Sequence, residues 1–187
     1  MSTVKKMVGV IRFRMKKIQK LTYTAIIAGI TTVASGLVYI PVGFAKIFPI
    51  QHLANVLSAV LLGPWYALAQ AFISSTLRNM MGTGSLFAYP GSMIGAFLAA
   101  YLFSKTKKLS FAVFGEVFGT GILGALATYP IAVLLLGKEA ALFGLMPAFI
   151  LSSFAGSMMA YGLLKIFIKN KVIGGVTIEN STNNRRI

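Results

Sequence analysis

The sequence is organised around residues 48–79, which read FPIQHLANVLSAVLLGPWYALAQAFISSTLRN. The stretch begins with two amides and an imidazole, Gln51, His52 and Asn55, and continues through two apolar segments separated by a Gly-Pro pair. A polar side chain inside an apolar run costs free energy in lipid unless it faces protein or water. We therefore expect these three side chains to have a function, and the rest of the chain to surround them.

The composition is that of an integral membrane protein. Of the 187 residues, 57% are hydrophobic and only 11% are charged, whereas a soluble domain is about 25% charged. Apolar runs of the length that a helix needs to cross a bilayer recur along the chain. The predicted spans cover residues 21–40, 51–63, 64–81, 88–104, 111–136 and 141–168. They predict an all-α membrane protein with one six-transmembrane-helix bundle, in contact with the lipid bilayer.

Basic residues are distributed unevenly between the two ends of these spans. Fifteen lysines and arginines fall on the side that holds both termini, and three fall on the other side. Because cytoplasmic loops are enriched in these residues, both termini are predicted to be cytoplasmic. The same distribution explains the net charge of +15 without a nucleic-acid partner, which would need a basic polar face.

Three parts of the chain follow from this pattern. Residues 1–20 carry seven basic residues and are interpreted as a basic amphipathic helix on the cytoplasmic membrane face, anchored and not cleaved. Residues 21–168 form the membrane domain. Residues 169–187 form a polar cytoplasmic tail, which we expect to be disordered.

Small residues recur every four positions in several spans. Because such residues let helix backbones approach closely, they are predicted to pack inside the bundle. The sets are Gly91, Gly95 and Ala99; Gly115 and Gly119; and Ser152, Gly156 and Ala160. Span one carries Ala25, Ala28 and Gly29, which serve either internal packing or the docking of a partner helix. Spacing alone favours internal packing.

The predicted topology places further polar and aromatic residues at the outer ends of the spans, near Gln51, His52 and Asn55. These candidate ligand-binding residues are Asn79, Tyr89, Ser92 and Tyr129. Phe44 and Phe48, in the first outer loop, are predicted to close over them as a gate. Amides, one imidazole and aromatic rings fit a small, neutral, flat heteroaromatic ligand.

Glu116 is the only acidic residue inside a span and is a further candidate for substrate binding. It is predicted to lie near the cytoplasmic end of span five, away from the outer cluster. An acid inside a membrane is commonly functional, but a simple pair with Lys105 or Lys108 is an equal alternative. His52 has a similar alternative, a bond to a backbone carbonyl, and Trp65 is interpreted as part of an interfacial aromatic belt.

Enzymatic functions find little support in the sequence. The chain has no aspartate, no cysteine and a single histidine, so an aspartyl dyad, a thiolate or a multi-histidine metal site cannot form. It also lacks a HExxH zinc motif, a GxSxG nucleophile turn and a phosphate-binding P-loop. We expect no catalysis, no metal and no cofactor, and any ATP-driven work needs another subunit.

Three blocks of sequence resemble the ThiW family: FPIQHLANVLSAVLLGPWYALAQAF, RNMMGTGSLFAYPGSMIGA and GEVFGTGILGALATYP. The resemblance covers about residues 20–168. It implies an S component of an energy-coupling factor (ECF) transporter: a six-helix subunit of the bacterial plasma membrane that binds hydroxyethylthiazole, a precursor of thiamine. Such a subunit works with a coupling transmembrane subunit and two ATPase subunits.

The resemblance also changes the interpretation of span one. S components commonly use an AxxxA-like motif on this helix against the coupling subunit, and Ala25 and Gly29 take its positions here. The resemblance therefore favours docking. The alternative function is a self-sufficient, proton-coupled secondary carrier with Glu116 as its proton site. A carrier works alone and responds to an uncoupler, whereas an S component needs its coupling module and ATP.

Overall fold

The computed structural model describes residues 10–13, 15–42, 45–136, 141–169 and 176–179. Within these ranges the helical segments match the predicted spans to within a few residues. A π-helical segment, Gly119–Gly124, joins α5 to α6, so that these three segments form one continuous helix. The α-helices are α1 (Lys17–Leu37), α2 (Pro49–Leu61), α3 (Pro64–Met80), α4 (Ala88–Thr106), α5 (Leu109–Phe118), α6 (Ala125–Leu136) and α7 (Ala141–Lys169).

Two short antiparallel strand pairs accompany the helices. β2 (Ile40–Val42) pairs with β3 (Ala45–Ile47) between α1 and α2, and β1 (Val10–Phe13) pairs with β4 (Val176–Glu179). The prediction of an all-α protein is therefore incomplete. Residues 10–13, which belong to the predicted amphipathic helix, form a strand instead, and its partner strand lies in the polar tail. Both segments are rich in β-branched and aromatic residues, which favour a strand when a partner strand is present.

Helix α2 lies at the centre of the structure, in contact with α1, α3, α4, α5 and α7. It is short because the chain reverses immediately after it. Gly63 has a φ of +94°, which suits glycine, and Pro64 takes the first position of α3, where its missing N–H is not needed. The Gly-Pro pair that separates the two apolar segments thus forms a turn between α2 and α3, and α2 is enclosed by other helices on most sides.

Glycines let α4 pack directly against the helix that begins with α5. A Cβ built on Gly115 would lie 2.7 Å from the Cα of Ala99, and one on Gly119 would lie 2.8 Å from the Cα of Gly95. These distances leave no room for a side chain. The small-residue sets predicted for spans four and five therefore form one seam, and the prediction of internal packing is confirmed for them.

The third small-residue set brings α7 against the first turn of α2. A Cβ on Gly156 would collide with the carbonyl oxygen of Pro49 and would lie 2.8 Å from the Cβ of His52. Helix α7 therefore supports the part of α2 that carries the candidate site residues, and internal packing is confirmed for Gly156 as well.

Helix α1 buries polar residues and exposes apolar ones. Thr24 and Thr31 are buried, while Ile30 is 63% exposed and Leu37 is 79% exposed. The two threonine hydroxyls donate to carbonyl oxygens four residues earlier, at 2.8 and 2.6 Å, so their burial leaves no polar group unpaired. A helix of a water-soluble protein shows the reverse arrangement, which indicates that lipid covers the outer face of α1.

Among the residues that the structure describes, two continuous helical stretches, Leu109–Leu134 and Leu145–Lys169, are long and apolar enough to cross a membrane. Together with the apolar outer face of α1, they indicate a membrane protein.

The small residues of α1 do not share one face. Ala28 is buried, so assigning it to partner docking is wrong, because its methyl group faces the protein interior. Ala25 and Gly29 are exposed, and no atom of the described residues lies within 4 Å of a Cβ built on Gly29. These two positions leave a shallow, small-residue surface on the outside of the helix.

Candidate binding site

Polar side chains from α2 and α5 meet in the interior of the protein. His52 Nδ1 lies 2.8 Å from Glu116 Oε1, and the Asn55 amide nitrogen donates to the same oxygen at 2.9 Å. Asn55 and Glu116 are 0% exposed, and His52 is 8% exposed. Ser92 on α4 completes the cluster, because its backbone carbonyl oxygen lies 3.3 Å from the Asn55 nitrogen. We call His52, Asn55, Ser92 and Glu116 the central cluster.

The π-helical segment supplies a further hydrogen bond to this cluster. Thr120 Oγ1 lies 3.1 Å from Glu116 Oε1 and 3.1 Å from the carbonyl oxygen of Gly91. A Cβ built on Gly95 would collide with Thr120 Oγ1 and would lie 2.9 Å from Glu116 Oε2, so this glycine leaves space for the carboxylate. Sequence reasoning missed Thr120, although its position four residues after Glu116 on a helix was a usable signal.

The prediction that Glu116 lies away from the other site residues is wrong. The alternative pairing of Glu116 with Lys105 or Lys108 is also wrong, since its carboxylate contacts the side chains of His52 and Asn55 instead. Counting depth from the outer ends of the helices places Glu116 far from His52 and Asn55, because α2 has only 13 residues and is shorter than the helix that carries Glu116. Counting from the inner ends at 1.5 Å per residue places Asn55 and Glu116 about 9 and 10 Å along their helices, at similar depth.

Gln51 belongs to a second polar group closer to the end of α3. Its amide nitrogen donates to Ser75 Oγ at 3.1 Å, and its oxygen accepts from the Arg78 guanidinium. Arg78 also donates to the backbone carbonyl oxygen of Thr83 at 3.0 Å. Arg78 is only 1% exposed, so its guanidinium lies inside the protein and does not extend to the lipid headgroups. Both ends of the Gln51 amide are thus used inside the protein.

Phe48 covers this second group. The guanidinium carbon of Arg78 lies 4.3 Å from the centre of the Phe48 ring, which is a cation–π geometry. The backbone N–H of Phe48 donates to Ser152 Oγ on α7 at 2.8 Å. Phe48 therefore links the loop before α2 to α3 and α7, and its role as a gate stays a prediction. Phe44, the other predicted gate residue, lies outside the described residues.

Three other predicted site residues have no hydrogen bond to the central cluster in the described part of the chain. Asn79 donates to two backbone carbonyl oxygens, at 2.8 and 3.1 Å, and so fixes the loop after α3. The Tyr89 hydroxyl lies 3.2 Å from Thr76 Oγ1, and its ring packs on Phe72, which is half-exposed. Tyr129 is partly buried on α6 and makes no hydrogen bond to the central cluster within the described ranges.

The comparison with protein families identifies the chain. A family model described as thiamine-precursor transporter protein (ThiW) matches residues 21–170. The chain belongs to the ThiW family. A comparison with curated proteins found no match. The ThiW match begins within α1 and ends after α7, so it includes every residue of the central cluster. It confirms the resemblance seen in the sequence and assigns the chain to a family of transporters of thiamine precursors rather than of enzymes.

Two acceptor atoms of the central cluster have no hydrogen-bond donor among the described residues of this ThiW protein. They are Asn55 Oδ1 and Glu116 Oε2, and both are buried. A buried acceptor without a partner costs about 1–3 kcal/mol, and native proteins rarely contain such a group without a structural or functional reason. A binding site that awaits a ligand donor explains this feature, at least at Asn55.

Proposed function

We propose that this ThiW protein is the substrate-capture subunit, or S component, of an ECF-type importer in the bacterial plasma membrane, and that it binds hydroxyethylthiazole at the central cluster. The observation that carries the proposal is a buried set of polar side chains, in a family of thiamine-precursor transporters, in which Asn55 Oδ1 has no hydrogen-bond donor among the described residues. Hydroxyethylthiazole offers one hydroxyl donor on a small aromatic ring, which suits a buried site with few polar groups.

The proposed partners are a coupling transmembrane subunit and two ATPase subunits. The sequence carries no phosphate-binding loop for ATP, so ATP-driven uptake would require ATPase subunits on other chains. The outward surface at Ala25 and Gly29 allows the backbone of a partner helix to approach closely. The charge distribution orients the N-terminal end of α1 toward the cytoplasm, where ATPase subunits act.

A proton-coupled secondary carrier is the second candidate function. The observation that favours it is the fully buried Glu116 in contact with His52, because an acid inside a membrane commonly marks a proton relay. In this mechanism the chain would transport its ligand alone, and Glu116 would gain and lose a proton in each cycle.

Uptake of labelled hydroxyethylthiazole distinguishes these functions. Cells that lack their own uptake should accumulate the label only when this chain is produced together with a coupling subunit and ATPases. A variant ATPase that cannot hydrolyse ATP provides the control and should abolish accumulation. Accumulation by the chain alone that an uncoupler stops would reject the S component and favour the carrier.

Binding by the purified chain tests the ligand separately. Calorimetric titration should show saturable binding of hydroxyethylthiazole and much weaker binding of hydroxymethyl-aminopyrimidine, which represents the other ring of thiamine. The opposite preference would overturn the thiazole assignment while leaving a thiamine-precursor site in place.

A further inference from the structure

Asn55 uses both of its amide hydrogens inside the protein. One is directed at Glu116 Oε1, 2.9 Å from the amide nitrogen, and the other lies nearest to the carbonyl oxygen and Oγ of Ser92, at 3.3 and 3.4 Å. The amide oxygen is buried and has no donor among the described residues. Toward a ligand, Asn55 can therefore act only as a hydrogen-bond acceptor.

Glu116 is the strongest restraint on this orientation, because its contact with the Asn55 amide nitrogen is shorter than either contact with Ser92. If the Asn55 amide rotated by half a turn, its oxygen would face Glu116 Oε1, and two acceptors would repel each other at hydrogen-bonding distance. The Thr120 hydroxyl and His52 also contact Oε1, which holds this carboxylate oxygen in place. The carboxylate thus keeps the oxygen of Asn55 turned away from itself and available.

The neighbouring amide does not offer the same function. The oxygen of Gln51 accepts from Arg78, and its nitrogen donates to Ser75. Of the two amides that α2 presents in its outer half, only Asn55 has an unused polar atom in the described part of the chain. A ligand that reaches α2 therefore meets an acceptor at Asn55.

We propose that Asn55 Oδ1 is the specificity-determining acceptor for the ligand hydroxyl, and that Glu116 is a positioning residue that fixes its direction. This inference rests on the proposed function, because it assumes that the central cluster is the ligand site. The site then selects a free alcohol. An alkyl or ether analogue has no hydrogen to donate, and a phosphate ester brings a charge of about −1.5 to −2 next to acceptors and a carboxylate.

Three thiazoles with the same ring test the acceptor role. The full chain in lipid nanodiscs is titrated calorimetrically with the hydroxyethyl, ethyl and methoxyethyl compounds. Loss of one hydrogen bond to a buried acceptor should weaken binding of the ethyl and methoxyethyl compounds roughly 5- to 150-fold. The ethyl compound is smaller than the alcohol, so a steric clash cannot explain its lower affinity. Equal affinities for the alcohol and the ethyl compound would overturn the proposal.

Asn55→Leu supplies the matching protein change. It should lower the affinity for the alcohol to that for the ethyl compound, while the affinity for the ethyl compound changes little. Trp65→Phe is the control variant, because Trp65 is 73% exposed and packs on Phe97; it should leave all three affinities unchanged. If Asn55→Leu still prefers the alcohol, Asn55 does not read the hydroxyl.

The positioning role of Glu116 requires a readout other than affinity alone. In Glu116→Ala the shortest contact that holds the Asn55 amide is lost and only the longer contacts with Ser92 remain, so the amide can present its N–H more often and the ratio of ether to alcohol dissociation constants should fall. Glu116→Gln, with its side-chain oxygen at the place of Oε1, should retain much of the wild-type ratio. Equal weakening of both ligands by Glu116→Ala, with the ratio unchanged, would reject the positioning role.

The same titrations separate this inference from the proposed function. If only the aminopyrimidine alcohol binds, and loses affinity when its hydroxyl is replaced by hydrogen, then the thiazole assignment fails and the acceptor role of Asn55 stands. If hydroxyethylthiazole binds with the same affinity to wild type and to Asn55→Leu, the acceptor role fails and the thiazole assignment stands. If neither ring compound binds, both the thiazole assignment and the acceptor role of Asn55 are rejected.

Discussion

One added methyl group should separate α4 from the helix that begins with α5. In Gly119→Ala the new Cβ would lie 2.8 Å from Gly95 Cα and 3.2 Å from both Gly95 N and Ile94 O, whereas non-bonded carbon atoms settle about 3.5–4.0 Å apart. Because these neighbours are backbone atoms, they cannot rotate away. The helices must therefore move apart by up to about 1 Å, and overpacking of this kind costs about 1–3 kcal/mol.

Gly162→Ala is the matched control. Gly162 lies on α7, and no atom of the described residues comes within 4 Å of a Cβ built there. Alanine has a higher helix propensity than glycine by about 1 kcal/mol, so this variant should be as stable as wild type or slightly more stable. Gly119→Ala has the same gain in helix propensity, so this gain cancels when the two variants are compared. The expected difference in their unfolding free energies is the cost of overpacking, about 1–3 kcal/mol.

Thermal unfolding in one detergent, followed by circular dichroism, measures this difference. The midpoint of Gly119→Ala should lie several degrees below that of Gly162→Ala, as expected for a difference of this size in a domain of this length. Equal midpoints for the two variants would refute the backbone contact between α4 and the α5 helix. The seam predicted from the glycine spacing would then also be wrong.

Three further predictions concern the outer surface of α1, the membrane topology and the buried contacts of Arg78. Gly29→Leu should lower uptake but not ligand binding by the isolated chain, because position 29 points outward; loss of both would show internal packing. A cysteine at position 46 should react with an impermeant thiol reagent from outside the cell and one at position 107 should not, and the reverse labelling would invert the topology. Arg78→Ala should lower the unfolding free energy by about 1–3 kcal/mol, seen in thermal unfolding, because Gln51 and a loop carbonyl lose their donor; an unchanged midpoint would contradict this.

The helices and their contacts were largely predictable from local patterns. Apolar runs gave the helix positions, because an α-helix is hydrogen-bonded within its own segment and its length depends on a continuous run of residues. The glycine seams were also predictable, since a four-residue spacing places small residues on one helix face whatever the partner is. The pairing of β1 with β4 was not predictable, because it joins segments at opposite ends of the chain.

The candidate site was predicted only in part. Gln51, His52 and Asn55 were singled out because polar residues are conspicuous in an apolar run, but the structure separates Gln51 into a different hydrogen-bonded group. Tyr89 was expected to face the site, yet its ring lies against Phe72 at the protein surface. The rotation of a helix about its own axis decides such directions, and that rotation depends on packing against neighbours.

The sequence by itself determined that this is a helical membrane protein of the ThiW family with polar residues concentrated on one short helix. These properties follow from composition, periodicity and motif, which are local. Only the tertiary structure decided that Glu116 bonds to His52 and Asn55, residues 64 and 61 positions away, and that Asn55 Oδ1 has no donor within the described ranges. Hydrogen bonds act over about 3 Å, so they depend on the relative depth and rotation of α2 and α5, which no local pattern specifies.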